Sequence, residues 1–270
     1  MFKKLLAILV SISMLLIIFT GCSDPGLNVQ IPDDIDTSSG SSKGLEFVLN
    51  EDEQSYTCVS VGSCTYATIL INTYNGLPVT AIGERAFYSC QNIVRVTLGD
   101  HIKEIGKSAF ELCTTLAFVT FGKSVEVIGE SAFDRCSNIS SISLPQSLIT
   151  IGDYAFWSCD GLKEIVIPKN VVSIGKAAFY DCNLLEDVLL GKSVEIIGAE
   201  AFKNCFFLTT ITFADKEMAL KTVENGAFDQ CPTLYDIVYY GNLDEWTNLW
   251  DGIKIDKNND TFKNITVTYA

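Results

Sequence analysis

Histidine is nearly absent from this chain: among 270 residues it occurs once, as His101. A Cys/His metal set therefore cannot be assembled, and a Ser/His/Asp site would rest on a residue whose surroundings read as an exposed turn. No G-x-S-x-G and no H-E-x-x-H is present, which removes the sequence signatures of nucleophile-elbow hydrolases and zinc peptidases. Gly-Lys-Ser occurs at Gly106, Gly122 and Gly191, but a phosphate-binding loop needs a glycine five positions earlier. His101, Ala117 and Glu186 stand there instead. Basic residues are the second shortage: 19 Lys and Arg face 33 Asp and Glu, a net charge of −14. With no Lys/Arg stripe, nucleic acid is excluded as a partner, because its phosphates would meet a surface of their own sign. No cofactor is expected, and no enzyme activity.

Only one stretch is apolar enough to concern a membrane. "MFKK" is a basic start, "LLAILVSISMLLIIF" an apolar run, and "TGC" closes it with Gly21 before Cys22. This resembles a bacterial lipobox, in which the cysteine is acylated and becomes the new N-terminus; Phe19 stands where leucine is usual. Residues 1–21 then form a lipoprotein signal peptide, with an ordinary signal or an uncleaved anchor as the other readings. Loss of Lys3 and Lys4 with the leader takes the charge from −14 to −16. Residues 22–44, the lipidated terminus and "SDPGLNVQIPDDIDTSSGSSKG", are rich in Ser, Gly, Asp and Pro without periodicity and read as a flexible tether.

From Ile82 the chain repeats. Ala-Phe pairs recur at 86/87, 109/110, 132/133, 155/156, 178/179, 201/202 and 227/228, a spacing of 23 residues five times and then 26. A fixed period in the twenties predicts a solenoid whose coils bury one another's apolar faces. The extra residues in "FADKEMALKTVENGAF" are expected to bulge as a loop. In "CTTLAFVTFGKSVEVIGESAF" the "LAFVTF" part alternates and predicts a strand. Its equivalents, among them "ISSISL" and "LKEIVI", should lie side by side as one parallel sheet. "VEVIG" predicts a second short strand ended by glycine, and "ESAFDRC" a helical turn that drops Ala and Phe into the core.

The tandem "IGxxAFxxCxxLxxIxI" with Pro-x-Ser or Gly-x-Ser corners resembles the leucine-rich repeat family, in its BspA-like subclass. The resemblance covers about Gly44 to Ala270. It implies an α/β solenoid, a right-handed superhelix of about eight 23-residue coils with a parallel β-sheet and short helical turns. Residues 45–66 form an N-terminal cap, 67–240 the repeats and 241–270 a C-terminal cap. "LEFVLNEDEQSYTCVSVG" reads as a hairpin with a charged turn. "NLDEWTNLW" reads as a helix laying Trp246 and Trp250 over the last coil, before a final strand at "ITVTYA".

Ten cysteines in an exported chain raise the prospect of disulfides. Cys22 is assigned to lipid. Cys64, Cys90, Cys113, Cys136, Cys159, Cys182, Cys205 and Cys231 share one phase of the repeat, so stacking places them in a column of parallel side chains that neither face each other nor converge on a metal. They read as small buried core residues. Cys58 breaks the period, which leaves a Cys58–Cys64 bridge across the N-terminal cap open.

The outward strand positions form two columns. One runs Arg95, Phe118, Ser141, Glu164, Asp187, Thr210 and Asp236; the next runs Thr97, Thr120, Ser143, Val166, Leu189, Thr212 and Val238. Phe118, Val166 and Leu189 beside Glu164, Asp187 and Asp236, with Val238 on the same face, suit a partner carrying basic groups. Carboxylates in every coil make acid pairs uninformative about glycosidase chemistry. The resemblance implies a surface lipoprotein that adheres to protein or glycan ligands on host or bacterial surfaces and touches a membrane only through its lipid. A structural or assembly role in the producer's own envelope is the alternative.

Overall fold

The computed structural model describes residues 43–252, 254–255 and 266–269. The leader, Cys22 and nearly all of the tether lie outside the described residues. The chain opens with a hairpin of β1 (Glu46–Leu49) and β2 (Tyr56–Ser60). Its turn is fixed by Asp52, which accepts from the Gln54 and Ser55 amides at 2.8 and 3.0 Å. β2 then pairs in parallel with the body of the solenoid, so the hairpin closes its first coil.

Coils contribute strands to an outer face and, after the first coil, two-residue strands to a second face. The outer strands are β3 (Thr68–Ile71), β6 (Arg95–Leu98), β8 (Phe118–Thr120), β11 (Glu164–Val166), β13 (Asp187–Leu190), β15 (Thr210–Phe213) and β17 (Asp236–Tyr239). The final strand, β19 (Thr266–Tyr269), pairs in parallel with β17 as expected of "ITVTYA". The second face is one long sheet. After β1 and β2 it runs through β5 (Leu77–Ile82), β7 (Glu104–Ile105), β9 (Val127–Ile128), β10 (Thr150–Ile151), β12 (Ser173–Ile174), β14 (Ile196–Ile197), β16 (Thr222–Val223) and β18 (Lys254–Ile255). A two-residue strand, β4 (Thr73–Tyr74), folds back on β5 through Asn75-Gly76, both at positive φ as a tight hairpin turn requires.

The outer face departs from the expected single sheet. It is two sheets, β3-β6-β8 and β11-β13-β15-β17-β19, because "ISSISL" forms no strand. Ile142 and Leu144 still point inward and are buried. The flanking Ser140, Ser141 and Ser143 are poor strand formers whose hydroxyls compete for backbone groups. Pro168 follows the neighbouring strand β11 as Pro145 follows this segment, so proline alone is not the cause.

The expected helical turns are absent too. Segments such as "ESAFDRC" are turns with two residues at positive φ, for example Ser131 and Arg135 at 53° and 57°. Their amides alternate between a local partner and the next coil: Ala132 donates to Gly129, whereas Phe133 donates to Ala155 at 2.8 Å. Bonds between coils thus replace the i→i−4 bonds of a helix, and the molecule is a parallel β-solenoid of about eight turns with almost no helix.

Three columns hold the core. Phe87, Phe110, Phe133, Phe156, Phe179, Phe202 and Phe228 stack at centroid distances of 5.0–5.3 Å with planes within 7° of parallel. Offset stacking of this kind adds about 0.5–1.5 kcal/mol per pair beyond burial. Beside them run the buried cysteines and the glycines that end the second-face strands. A Cβ on Gly152 would sit 2.7 Å from the carbonyl carbon of Gly129, so the coils approach too closely there for any side chain.

The 26-residue coil does bulge between β15 and β16, and Tyr239 Oη holds the loop by donating to Lys216 O at 2.6 Å. The helix of the C-terminal cap, α1 (Leu243–Gly252), begins with a reciprocal cap. Glu245 N donates to Asn242 Oδ1 at 3.0 Å and Asn242 N to Glu245 Oε2 at 2.9 Å. Trp246 is buried on Phe213 and Tyr239 at 5.4 and 5.3 Å. The Trp250 side chain lies outside the described residues.

Candidate functional site

Strand register places the outward residues in columns. Arg95 pairs with Phe118; Glu164 pairs with Asp187, Asp187 with Thr210 and Thr210 with Asp236. Val166, Leu189, Thr212 and Val238 form the neighbouring row in the same ladders. The missing strand divides the face. Phe118 lies on the far side of the break from Val166 and Leu189, and the Arg95 guanidinium covers its ring at 4.2 Å. The apolar residues therefore do not form one patch. Val166 is exposed, Leu189 and Val238 are half-buried, and Thr212 between them is buried. Asp236 accepts from Thr268 Oγ1 at 2.9 Å. At the corner after the break, Phe121, Lys123, Leu144, Pro145 and Gln146 line a shallow cleft of about 350 Å³.

The cysteine column is structural in its details. Cys113, Cys136, Cys159, Cys182, Cys205 and Cys231 each donate Sγ–H to the phenylalanine carbonyl of the preceding coil, at 2.9–3.3 Å. Burial pushes the Cys113 thiol up to about 12 and holds Cys136, Cys159 and Cys205 well above the ordinary range. A reactive thiol needs the opposite shift. Cys90 donates instead to Asn92 Oδ1 at 2.8 Å. Cys58 and Cys64 are buried free thiols, so the bridge left open by the sequence is not formed in the structure. Among the described residues no group of three or more His, Cys, Asp and Glu is placed to hold a metal ion.

Two further clusters lie outside the outward strand columns. On the turn face Trp157 packs against Tyr154 and Tyr180 at 5.3 and 5.5 Å, and Arg135, Lys176 and Lys203 lie over the three rings. These rings are already engaged with each other and with cations. One coil earlier Asp134 is buried at 4% exposure, with Arg135 3.8 Å away and Oδ1 lacking a hydrogen bond; burial raises its carboxyl to about 6. The second cluster is a ridge before β13, β15 and β17, where Leu184, Phe206, Phe207 and Tyr235 are exposed. Its signal was Leu184, Phe206 and Phe207 at phases where most other coils carry polar residues such as Gln91, Asn92, Thr114, Thr115, Asn138 and Asp160.

The profile of the BspA type leucine rich repeat region matches residues 61–185 and 149–249, in six copies. The chain belongs to the BspA-type leucine-rich repeat family. Solved structures of other leucine-rich repeat proteins agree with that fold. One from Bacteroides ovatus is 27% identical with a TM-score of 0.59, over 74% of this chain and 55% of that one, so this BspA-type chain spans about half of that protein. The T. pallidum leucine rich repeat protein is 25% identical with a TM-score of 0.53, over 80% of this chain and 96% of that one. A leucine rich cell surface protein from Faecalibacterium prausnitzii, 24% identical with a TM-score of 0.52 over 73% of this chain and 69% of that one, bears on the fold alone. A search of curated proteins finds no match.

Proposed function

We propose that this BspA-type protein is a lipid-anchored component of the bacterial cell surface that binds a protein or glycan on host or bacterial surfaces by non-covalent contact. The observation that carries this reading is the register of β11, β13, β15 and β17. It holds Val166, Leu189 and Val238 in a row directly beside Glu164, Asp187 and Asp236 on a hydrogen-bonded sheet. A rigid face of apolar side chains bordered by carboxylates recognises shape and charge without ordering cost. The leader and Cys22 supply the reason to place it outside the cytoplasm, with the acyl group as its contact with lipid.

The test is a binding screen of the mature protein against matrix proteins, mucins, glycans and the producer's own envelope extract, repeated across salt. Saturable, salt-sensitive binding to a host or foreign surface component, lost in Leu189→Asp with the fold retained, is the expected result. Binding confined to the producer's envelope, or indifferent to Leu189→Asp and Phe118→Ser alike, would replace adhesion with an assembly role. Cys22→Ala should move the protein from the membrane fraction to the soluble fraction.

A further inference from the structure

We propose that the ridge of Leu184, Phe206, Phe207 and Tyr235 docks a cationic amphipathic segment of a partner protein. This rests on the binding role proposed above and gives that partner a chemistry. Phe206 and Phe207 are consecutive, 44% and 56% exposed, and Leu184 and Tyr235 on the coils either side are 41% and 54% exposed. Adjacent exposed phenylalanines are costly for solubility, and packing does not require them. At the phase of Leu184 and Phe207, three other coils use a polar side chain that bonds to the preceding coil. Asn92 Nδ2 donates to Cys64 O, Thr115 Oγ1 to Ile93 O at 2.9 Å, and Thr233 Oγ1 to Leu208 O at 2.8 Å. Leu184 and Phe207 forgo that bond and turn apolar surface to water.

The backbone beneath is fixed by bonds between coils, from Glu186 N to Lys163 O at 2.7 Å and from Thr209 N to Glu186 O at 2.9 Å. The aromatic side chains are thus presented by a rigid support, as binding hot spots are. The border chooses the occupant. Asp160, Glu164, Glu186, Asp187 and Asp236 lie within five residues of the repeat cysteine on these coils and the one before, against Lys163 and Lys203, the latter paired with Glu200 at 2.7 Å. A second copy of this chain, which carries a net charge of −14, or an anionic lipid surface would be repelled. A segment with an apolar stripe flanked by lysines or arginines matches both features.

The experiment titrates the full-length protein with a synthetic peptide of about 18 residues, Leu and Lys at amphipathic helical spacing. Comparators are the same peptide with Glu for Lys, oligolysine of equal charge, and vesicles of zwitterionic or anionic lipid. The variants are Phe206→Thr with Phe207→Thr, which copies Thr114-Thr115 of an intact coil, and Glu164→Gln with Glu186→Gln. Expected is saturable binding of the Leu/Lys peptide, weakened at least about tenfold by the Phe pair and, at low salt, by the Glu pair. The thermal midpoint of the Phe pair should match the parent.

Equal binding of the Glu peptide, binding unchanged in the Phe pair, or no saturable binding overturns the proposal. So does self-association or vesicle binding that the Phe pair abolishes, since either identifies a different occupant. If the surface ligand found in the screen is lost in Leu189→Asp but kept in the Phe pair, the ridge fails while the adhesive role stands.

Discussion

Each thiol from Cys113 to Cys231 donates to a carbonyl one coil away, and burial disfavours the ionised form of those from Cys113 to Cys205. The nine described cysteines should therefore resist iodoacetamide in the folded protein and react together on denaturation, as mass spectrometry of alkylated peptides would show. Removing one, as in Cys159→Ala, leaves the Phe133 carbonyl with the Cys136 amide as its donor and should cost about 0.5–1.5 kcal/mol in chemical denaturation. Asp134 has the opposite character, a polar group that opposes the fold when charged. Its carboxyl ionises near 6 when folded and about 4 when unfolded. Its effect on stability is therefore constant below pH 4, turns unfavourable between pH 4 and 6, and stays so above. Asp134→Asn should raise the thermal midpoint at pH 7.5 by the equivalent of about 1–2 kcal/mol and leave it nearly unchanged at pH 4.

Among the elements, the weak one is the coil without an outer strand. Amides of residues 141–144 should exchange with deuterium at least about tenfold faster than those of β13 and β15, which are paired on both sides. Ser141→Val with Ser143→Val should slow that exchange by extending the ladder across the break. Much of this scale could be read beforehand. A 23-residue period fixes which side chains share a column, so the Phe and Cys columns, the strand registers and the bulge at the one 26-residue spacing followed from it. The helical turns did not follow. Helix and paired left-handed turns place Ala and Phe inward alike, and Ser131 or Arg135 gives no sign of a positive φ. The broken sheet was hidden because Ile142 and Leu144 keep the alternation even where the pairing is lost. Of the candidate face, Glu164, Val166, Asp187, Leu189, Asp236 and Val238 were legible as columns. The ridge of Phe206 and Phe207 precedes the strand and so falls outside the alternation that marks an outward column.

For the whole molecule, contacts run from coil to coil and the ends decide the rest. Trp246→Ala would uncover Phe213 and Tyr239 and should cost about 3–5 kcal/mol. The loss should show first at the C-terminal end, as early cleavage after β15 in limited proteolysis while coils near β7 stay protected. The glycine column carries a different implication. Because Gly106, Gly129, Gly152, Gly175 and Gly198 set the same close contact with the coil before each, any 23-residue block among these coils fits onto any other. Duplicating or deleting a block leaves the core unchanged and alters the sheet by one strand, about 4.8 Å. The width of the outer face is then a matter of copy number, open to change by recombination within one gene.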